Sequence, residues 1–256
     1  MSLRKEGVIR IPNVLVASAY GPMIVNVRDR FIGQSILQNE YWAKAEIDML
    51  RQLAEAVLAD APAPTLLDLG VNLGTHSLAL AKTFDSRITV HAVEAQRQFF
   101  HMLCGTMALN GLENVRCYRA AVSDRACKTL TYDLPDYRQA NNLGGLELVP
   151  PVKSDNADLV KAGRERAPTI TIDSFAVKVD LIKLDVEGME LRALEGGRHT
   201  IARDKPIIFL EFIKSDQDAI VGFFRQQGYH GYVRGHELLA IPPKRRITIK
   251  GLKKVF

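Results

Sequence analysis

The chain reads as an α/β protein built on an open, doubly wound, mostly parallel sheet with helices on both faces. Three observations predict this. From Thr65 onward, short apolar or β-branched runs alternate with amphipathic stretches, the pattern of buried parallel strands joined by crossover helices. The first run, TLLDL, ends in a glycine-bearing turn that opens a helix. With 256 residues, 47% hydrophobic and 25% charged, the chain is also long enough for one substantial core.

The first 60 residues hold an apolar piece (VIRIPNVLVAS), a possible strand (MIVNV) and a helix from about Asn39 to Leu58. Ile47, Leu50, Ala54 and Val57 recur at three- and four-residue steps, so one face of that helix must be buried. Residues Ala61 to Pro64 (APAP) end it, because proline has no helical N–H to donate. The strand runs that follow are TLLDL, RITVHAVE, NVRCYRAAV, VDLIKLDV and PIIFLEF, with helical stretches FFHMLCGTMALN, GMELRALEGG and DQDAIVGFFRQQ between them. GYVR and ELLAIP read as a C-terminal hairpin adding antiparallel edge strands. Residues 133–169 are expected to be an irregular insertion at the mouth of the sheet. The expected organisation is an N-terminal cap on the substrate side (1–60), the main domain (61–242) and a basic tail (243–256).

The turn chooses among ligands. A dinucleotide loop needs G-x-G-x-x-G, so that the backbone can approach a pyrophosphate three times. Here the order is Asp68, Gly70, Asn72, Gly74, or D-x-G-x-N-x-G, and the third glycine is missing. The Lys-Ser/Thr pair of a phosphate loop is missing too. An acid before a tight turn suits a ligand that brings a cation. S-adenosylmethionine has an ammonium, a carboxylate and a sulfonium, so Asp68 can attract its positive end while loop N–H groups meet the carboxylate. Glu94, at the end of the second strand, has the position of an acid that accepts both ribose hydroxyls.

The stretches DLGVNLGTHSLALA, VEAQRQFFHMLCGTMALNGLENV, AAVSD, TIDSF and DLIKLDVEGMELRALEGG, in that order, resemble the FkbM-type methyltransferases of the class I S-adenosylmethionine-dependent fold. The resemblance covers about Asn39 to Pro242. It implies a seven-stranded Rossmann-like sheet, S-adenosylmethionine as cofactor and O-methylation of a hydroxyl on a sugar, polyketide or related small metabolite. The chain departs from the family at Ala95, where proline is common, and at Leu210 to Phe212 (LEF), where V-E-N is common. The cofactor set expected on these grounds is Asp68, Gly70, Asn72, Gly74, Thr75, His76, Glu94, Ala95 and Asp185, with Ala121 and Val122 where class I enzymes contact adenine.

Methyl transfer requires the acceptor oxygen to be positioned and its proton removed. Three residues are candidates. His76 lies in the first turn of a helix, whose dipole favours the neutral ring, and FkbM-like sequences often have histidine there. Asp185 and Glu187 end the fourth strand; two residues apart on an extended piece, they project from one side and can meet a hydroxyl, an ammonium or a divalent cation. No third metal ligand is obvious, Glu211 being a weak candidate, and no metal is expected. In the competing structural reading, Glu187 starts a helix and Asp185 closes a turn. Lys183 is expected to face outward or pair with an acid. Asp124 is expected to form a turn, and Phe99 and Phe100 to be core. Tyr41 and Trp42 either cap the pocket or pack.

The net charge of +5 suggests a polyanion partner, but its distribution weakens that reading. Six of the 34 basic residues lie in 243–256, which has no acid, and the remaining 28 face 29 acids. A solvated tail is therefore preferred to a nucleic-acid contact. The alternatives are a nucleic-acid methyltransferase aided by the tail and a non-catalytic cofactor-binding protein. Cys104, Cys117 and Cys127 form no CxxC pair, which suggests a reducing, cytoplasmic setting. No apolar run approaches the roughly 20 residues of a membrane span, and the N-terminus lacks a signal-peptide core.

Overall fold

The computed structural model describes residues 12–150, 159–245, 247 and 252–256. The first residues of the expected cap, part of the expected insertion and part of the basic tail lie outside them. The chain begins with an antiparallel hairpin, β1 (Asn13–Ser18) and β2 (Gly21–Asn26), followed by α1 (Ile32–Asn39) and α2 (Lys44–Leu58). The single helix expected from Asn39 is thus two. Glu40 and Ala43 both adopt left-handed backbone, at φ 67° and 52°, and turn the chain between them. Ile47, Leu50, Ala54 and Val57 are all buried, as their spacing requires.

The central sheet contains β3 (Thr65–Leu69), β4 (Thr89–Glu94), β5 (Val115–Arg119), β9 (Leu181–Leu184), β10 (Ile207–Glu211), β11 (His230–Arg234), β12 (Glu237–Ile241) and β13 (Lys253–Lys254). Their order across the sheet is β13-β11-β12-β10-β9-β3-β4-β5. Strands β5, β4, β3, β9 and β10 are mutually parallel. The sheet is mixed and has eight strands, where seven were expected. Strand β12 runs antiparallel between β10 and β11, so the hairpin's second strand is internal and not an edge. The eighth strand comes from the tail: β13 pairs with β11, and Phe256 packs so closely that a Cβ on Gly231 would lie 2.1 Å from its ring. The Lys253 and Lys254 side chains remain exposed.

Strand alternation assigns the two faces. Leu67, Leu69, Ile182, Leu184, Ile208 and Leu210 pack against α5 (Glu190–Glu195), α6 (Arg198–Asp204) and α7 (Gln217–Gln226). Leu66, Leu181, Ile207 and Phe209 pack against α2 and α3 (Thr75–Phe84). The remaining helix, α4 (Arg97–Leu109), carries Phe99, Met102 and Leu103 against the hairpin. Phe99 is core, as expected.

The segment expected to be irregular contains regular structure. After β6 (Ala121–Val122), β7 (Thr129–Pro135) and β8 (Lys161–Ile170) form a long antiparallel pair, and β6 joins β8 to make a second, three-stranded sheet. Charged residues interrupt β8, and its ladder runs from Thr129↔Pro168 to residues far apart in sequence, so local pattern does not reveal it. Among the described residues no helix is long and apolar enough to cross a membrane.

Gly70 has φ +79°, and a Cβ there would lie 1.7 Å from the Asp185 carbonyl oxygen. Backbone from β3 and β9 meets at this point, and nothing flexible can yield. Gly70→Ala is expected to lower unfolding free energy by about 2–4 kcal/mol. Gly222→Ala, at a helical position with nothing within 4 Å, should be neutral or stabilising. Chemical denaturation of both variants checks the contrast.

Candidate active site

The strand order reverses between β3 and β9, and a cleft of about 750 Å³ opens there at the carboxyl ends of the parallel strands. Its wall includes Gly70, Asn72, Thr75, His76, Glu94, Ala95, Ala121, Val122, Asp185 and Glu187. These expected site residues come from four separate stretches of chain. Gly74 and Asp68 do not line it. Gly74 turns the chain at φ +89° and faces Leu103 and Met107.

Asp68, expected to face the ligand's positive end, does not line the cleft. It is fully buried beneath the loop, where Oδ2 accepts from Ser77 Oγ at 2.6 Å. Oδ1 has no hydrogen-bond partner among the described residues and lies 3.9 Å from Lys183 Nζ. Lys183 is its in-register neighbour on β9. This lysine is buried, contrary to the outward alternative, and pairs with acids. Its Nζ donates to Asp185 Oδ2 at 3.2 Å and to the Gly70 carbonyl at 3.4 Å. Burial pulls the ammonium down, but Asp185, Asp68 and Glu46 outweigh it and hold Lys183 above the usual lysine range.

Glu94 is held by backbone. Its Oε2 accepts from Asn72 N–H at 2.9 Å and its Oε1 from Gln96 N–H at 2.7 Å. Each oxygen retains a lone pair. Burial pushes this carboxyl up to about 7, although those N–H groups and Lys183 favour its charge.

Asp185 and Glu187 both line the cleft but not as paired teeth of an extended strand. The strand ends at Leu184, and Glu187 is left-handed at φ 51°. Glu187 meets Lys214 Nζ at 2.7 Å, while Asp185 meets Lys183. Burial and then Asp185 push Glu187 up to about 8, against Lys214. Glu187 does not start the helix either. Glu190 does, accepting from Val186 N–H at 2.9 Å and Gly188 N–H at 3.1 Å. Asp124 accepts from Ser123 Oγ at 3.0 Å outside the cleft.

His76 is buried in the first turn of α3, and its Nε2 has no hydrogen-bond partner among the described residues. Glu46 Oε2 lies 3.3 Å from it, too poorly aligned to bond but close enough to attract. Burial raises the Glu46 carboxyl, yet His76, Lys183 and Arg234 reverse this and leave it lowered. Trp42 lines the cleft, whereas Tyr41 is exposed. Burial and then Asp185 push Glu211 up to about 7. Among the described residues no three His, Cys, Asp or Glu side chains are grouped to hold a metal ion.

Several wall residues had no clear local signal. Glu46 reads as the wet face of an amphipathic helix, and Lys214, Arg234 and Glu237 follow or flank late strands. Lys183 had one: a cation inside the apolar run DLIKL.

The fold and cleft define the class. This is a methyltransferase-like α/β protein, and residues 68–230 match the model of the methyltransferase FkbM domain. The chain belongs to the FkbM methyltransferase family. No curated protein matches it. A putative caffeoyl-CoA O-methyltransferase from Staphylococcus aureus shares the fold with a TM-score of 0.50 at 13% identity, over 82% of this chain and 89% of that one. The structure of an FkbM methyltransferase from Methylobacillus flagellatus matches with a TM-score of 0.48 at 17% identity, over 70% of this chain. The chain spans 43% of the length of that protein.

Two outcomes follow from the buried charges. Lys183→Met strands Asp68 and Asp185 without their cation and should cost about 3–5 kcal/mol in denaturant unfolding. Glu211 binds its proton more tightly folded than unfolded, so its contribution to stability falls as pH rises from the ordinary 4.5 through about 7. Glu211→Gln stays neutral and escapes that loss. Its stability relative to the parent should improve by about 1–2 kcal/mol between pH 5 and pH 8, measured by denaturation at each pH.

Proposed function

We propose that this protein transfers a methyl group from S-adenosylmethionine to a hydroxyl of a small metabolite, such as a sugar or polyketide. The observation that supports this most directly is the continuity of the cleft. It joins a backbone-anchored carboxylate, Glu94, beside the Gly70–Thr75 turn, to a buried ring nitrogen one residue past that turn, His76 Nε2, which has no hydrogen-bond partner among the described residues.

The residues fit the cofactor. Glu94 has free lone pairs for a ribose diol, and Ala121 and Val122 are small or apolar and buried, as a purine requires. Gly70 and Asn72, both at positive φ, bring backbone to the cleft edge without side-chain bulk between. The chemistry S-adenosylmethionine supplies when bound is an electrophilic methyl on a sulfonium.

The chain's own residues supply position and proton transfer. His76 Nε2 accepts the acceptor hydroxyl's proton, and the Glu46 carboxylate 3.3 Å away stabilises the resulting imidazolium. Asp185, held by Lys183 at 3.2 Å, presents its carboxylate to a hydrogen-bond donor on acceptor or cofactor. Trp42 and Phe31 narrow the mouth and limit water.

The two roles should separate kinetically. His76→Ala is expected to reduce turnover by about 10²–10³-fold while changing cofactor affinity less than about threefold. Glu94→Ala should weaken cofactor binding at least about tenfold. Calorimetry for binding and a labelled-methyl transfer assay against hydroxylated metabolites measure the two effects. Unchanged cofactor binding in Glu94→Ala together with full turnover in His76→Ala defeats the reading.

A further inference from the structure

We propose that the acceptor carries a protonated amine beside its hydroxyl, and that Glu46 and Glu211 form the subsite that receives the ammonium. This rests on the methyltransferase reading and adds the charge of the substrate to it. Six carboxylates line the cleft, from Glu46, Glu94, Asp185, Glu187, Glu211 and Glu237, against three cations, Lys183, Lys214 and Arg234. The cations are already engaged: Lys183 with Asp185 at 3.2 Å, Lys214 with Glu187 at 2.7 Å and Arg234 with Glu237 at 2.8 Å. Glu94 is held by backbone N–H groups. Among the described residues, Glu46 and Glu211 have no lysine or arginine within ion-pair distance.

These two acids come from different elements, α2 and the end of β10, and face one cleft. Repulsion from neighbouring carboxylates, Asp185 first, adds to burial in raising the Glu211 carboxyl, against Lys183. A bound cation removes that repulsion.

His76 supplies an independent observation. Its side chain is 7% exposed, and Nε2, 3.3 Å from Glu46 Oε2 on the cleft wall, has no hydrogen-bond partner among the described residues. A buried polar atom left unpaired marks a place for a ligand's donor. A hydroxyl at Nε2 with an ammonium against Glu46 and Glu211 satisfies both acids and the ring together. The aromatic faces of Phe31 and Trp42 at the mouth suit the ring or carbon skeleton bearing these groups, and they tolerate a cation. The same excess of negative charge repels phosphorylated or carboxylated acceptors.

Trp42 is the sole tryptophan, so its fluorescence reports occupancy of the cleft. The full chain is titrated with glucosamine, galactosamine and 2-aminocyclohexanol, each against its N-acetyl derivative. The free amines are expected to bind at least about tenfold more tightly, and Glu211→Gln and Glu46→Gln should reduce that preference to less than about twofold. Circular dichroism verifies that each variant is folded, and Glu211→Gln alone suffices if Glu46→Gln is not. Equal or tighter binding of the N-acetyl members, no response to either series, or an equal loss for both series in Glu211→Gln overturns the proposal. Calorimetry with S-adenosylmethionine on the same protein is a separate readout: its failure removes the methyltransferase reading, whereas the amine preference, measured without cofactor, tests the subsite alone.

Discussion

A single buried ammonium holds the cleft together. Lys183 sits in register beside Asp68, on the face of the sheet that otherwise carries Leu66, Leu181 and Phe209. Its Nζ reaches the Gly70 carbonyl on β3's turn and the Asp185 carboxylate on β9's exit. Taking such a charge out of water costs several kcal/mol, which only well-placed opposite charges offset. The interaction therefore specifies geometry more than it adds stability. It ties the end of β3 to the end of β9 where the strand order reverses, and the absence of a side chain at Gly70 lets the two backbones touch.

The part of the cleft around Trp42 and Glu46 is assembled from more distant elements. The β1–β2 hairpin docks on α4, with Ile24 N–H donating to Thr106 Oγ1 at 3.0 Å. From there Tyr20 donates its hydroxyl proton to the Trp42 carbonyl at 3.0 Å, fixing the approach to α2 and with it Glu46. The stretch between β7 and β8 is stitched to the same region. Asp29 accepts from Gly33 N–H at 2.8 Å and Leu143 N–H at 3.3 Å, and Gln96 donates to the Leu143 carbonyl at 2.9 Å. Gln96, two residues after Glu94, is thus also a brace for the loop that carries Gly144, Gly145 and Leu146 to the cleft. Both sides of the cleft thus share their supports.

The cleft's electrostatics are the counterpart of this crowding. Burial raises Glu94, Glu187 and Glu211 into or near the neutral range, and Asp185 adds its charge to the last two. Carboxyls in such surroundings release their protons readily when a cation arrives. Among the described residues His76 Nε2 makes no hydrogen bond, with the Glu46 carboxylate 3.3 Å away, and such an arrangement is costly for a structural core.

What the sequence determined by itself was local and periodic. The alternation of apolar runs with amphipathic helices, the D-x-G-x-N-x-G turn and the acid closing the second strand were legible because each is written within about thirty residues, the span of one βαβ unit. His76 and Glu94 could be named for the same reason. Tertiary structure decided what depends on distant pairing: that Asp68 bonds to Ser77 under the turn and does not line the cleft, that Lys183 points inward, and that Glu187 leaves the extended path it was expected to follow. It also gave the supposed irregular insertion two paired strand ends in the β7–β8 ladder and drew the tail into an eighth strand. A residue's partners across a sheet or between a helix and a strand end are fixed by closure of the whole chain, and no window of neighbouring residues contains that information.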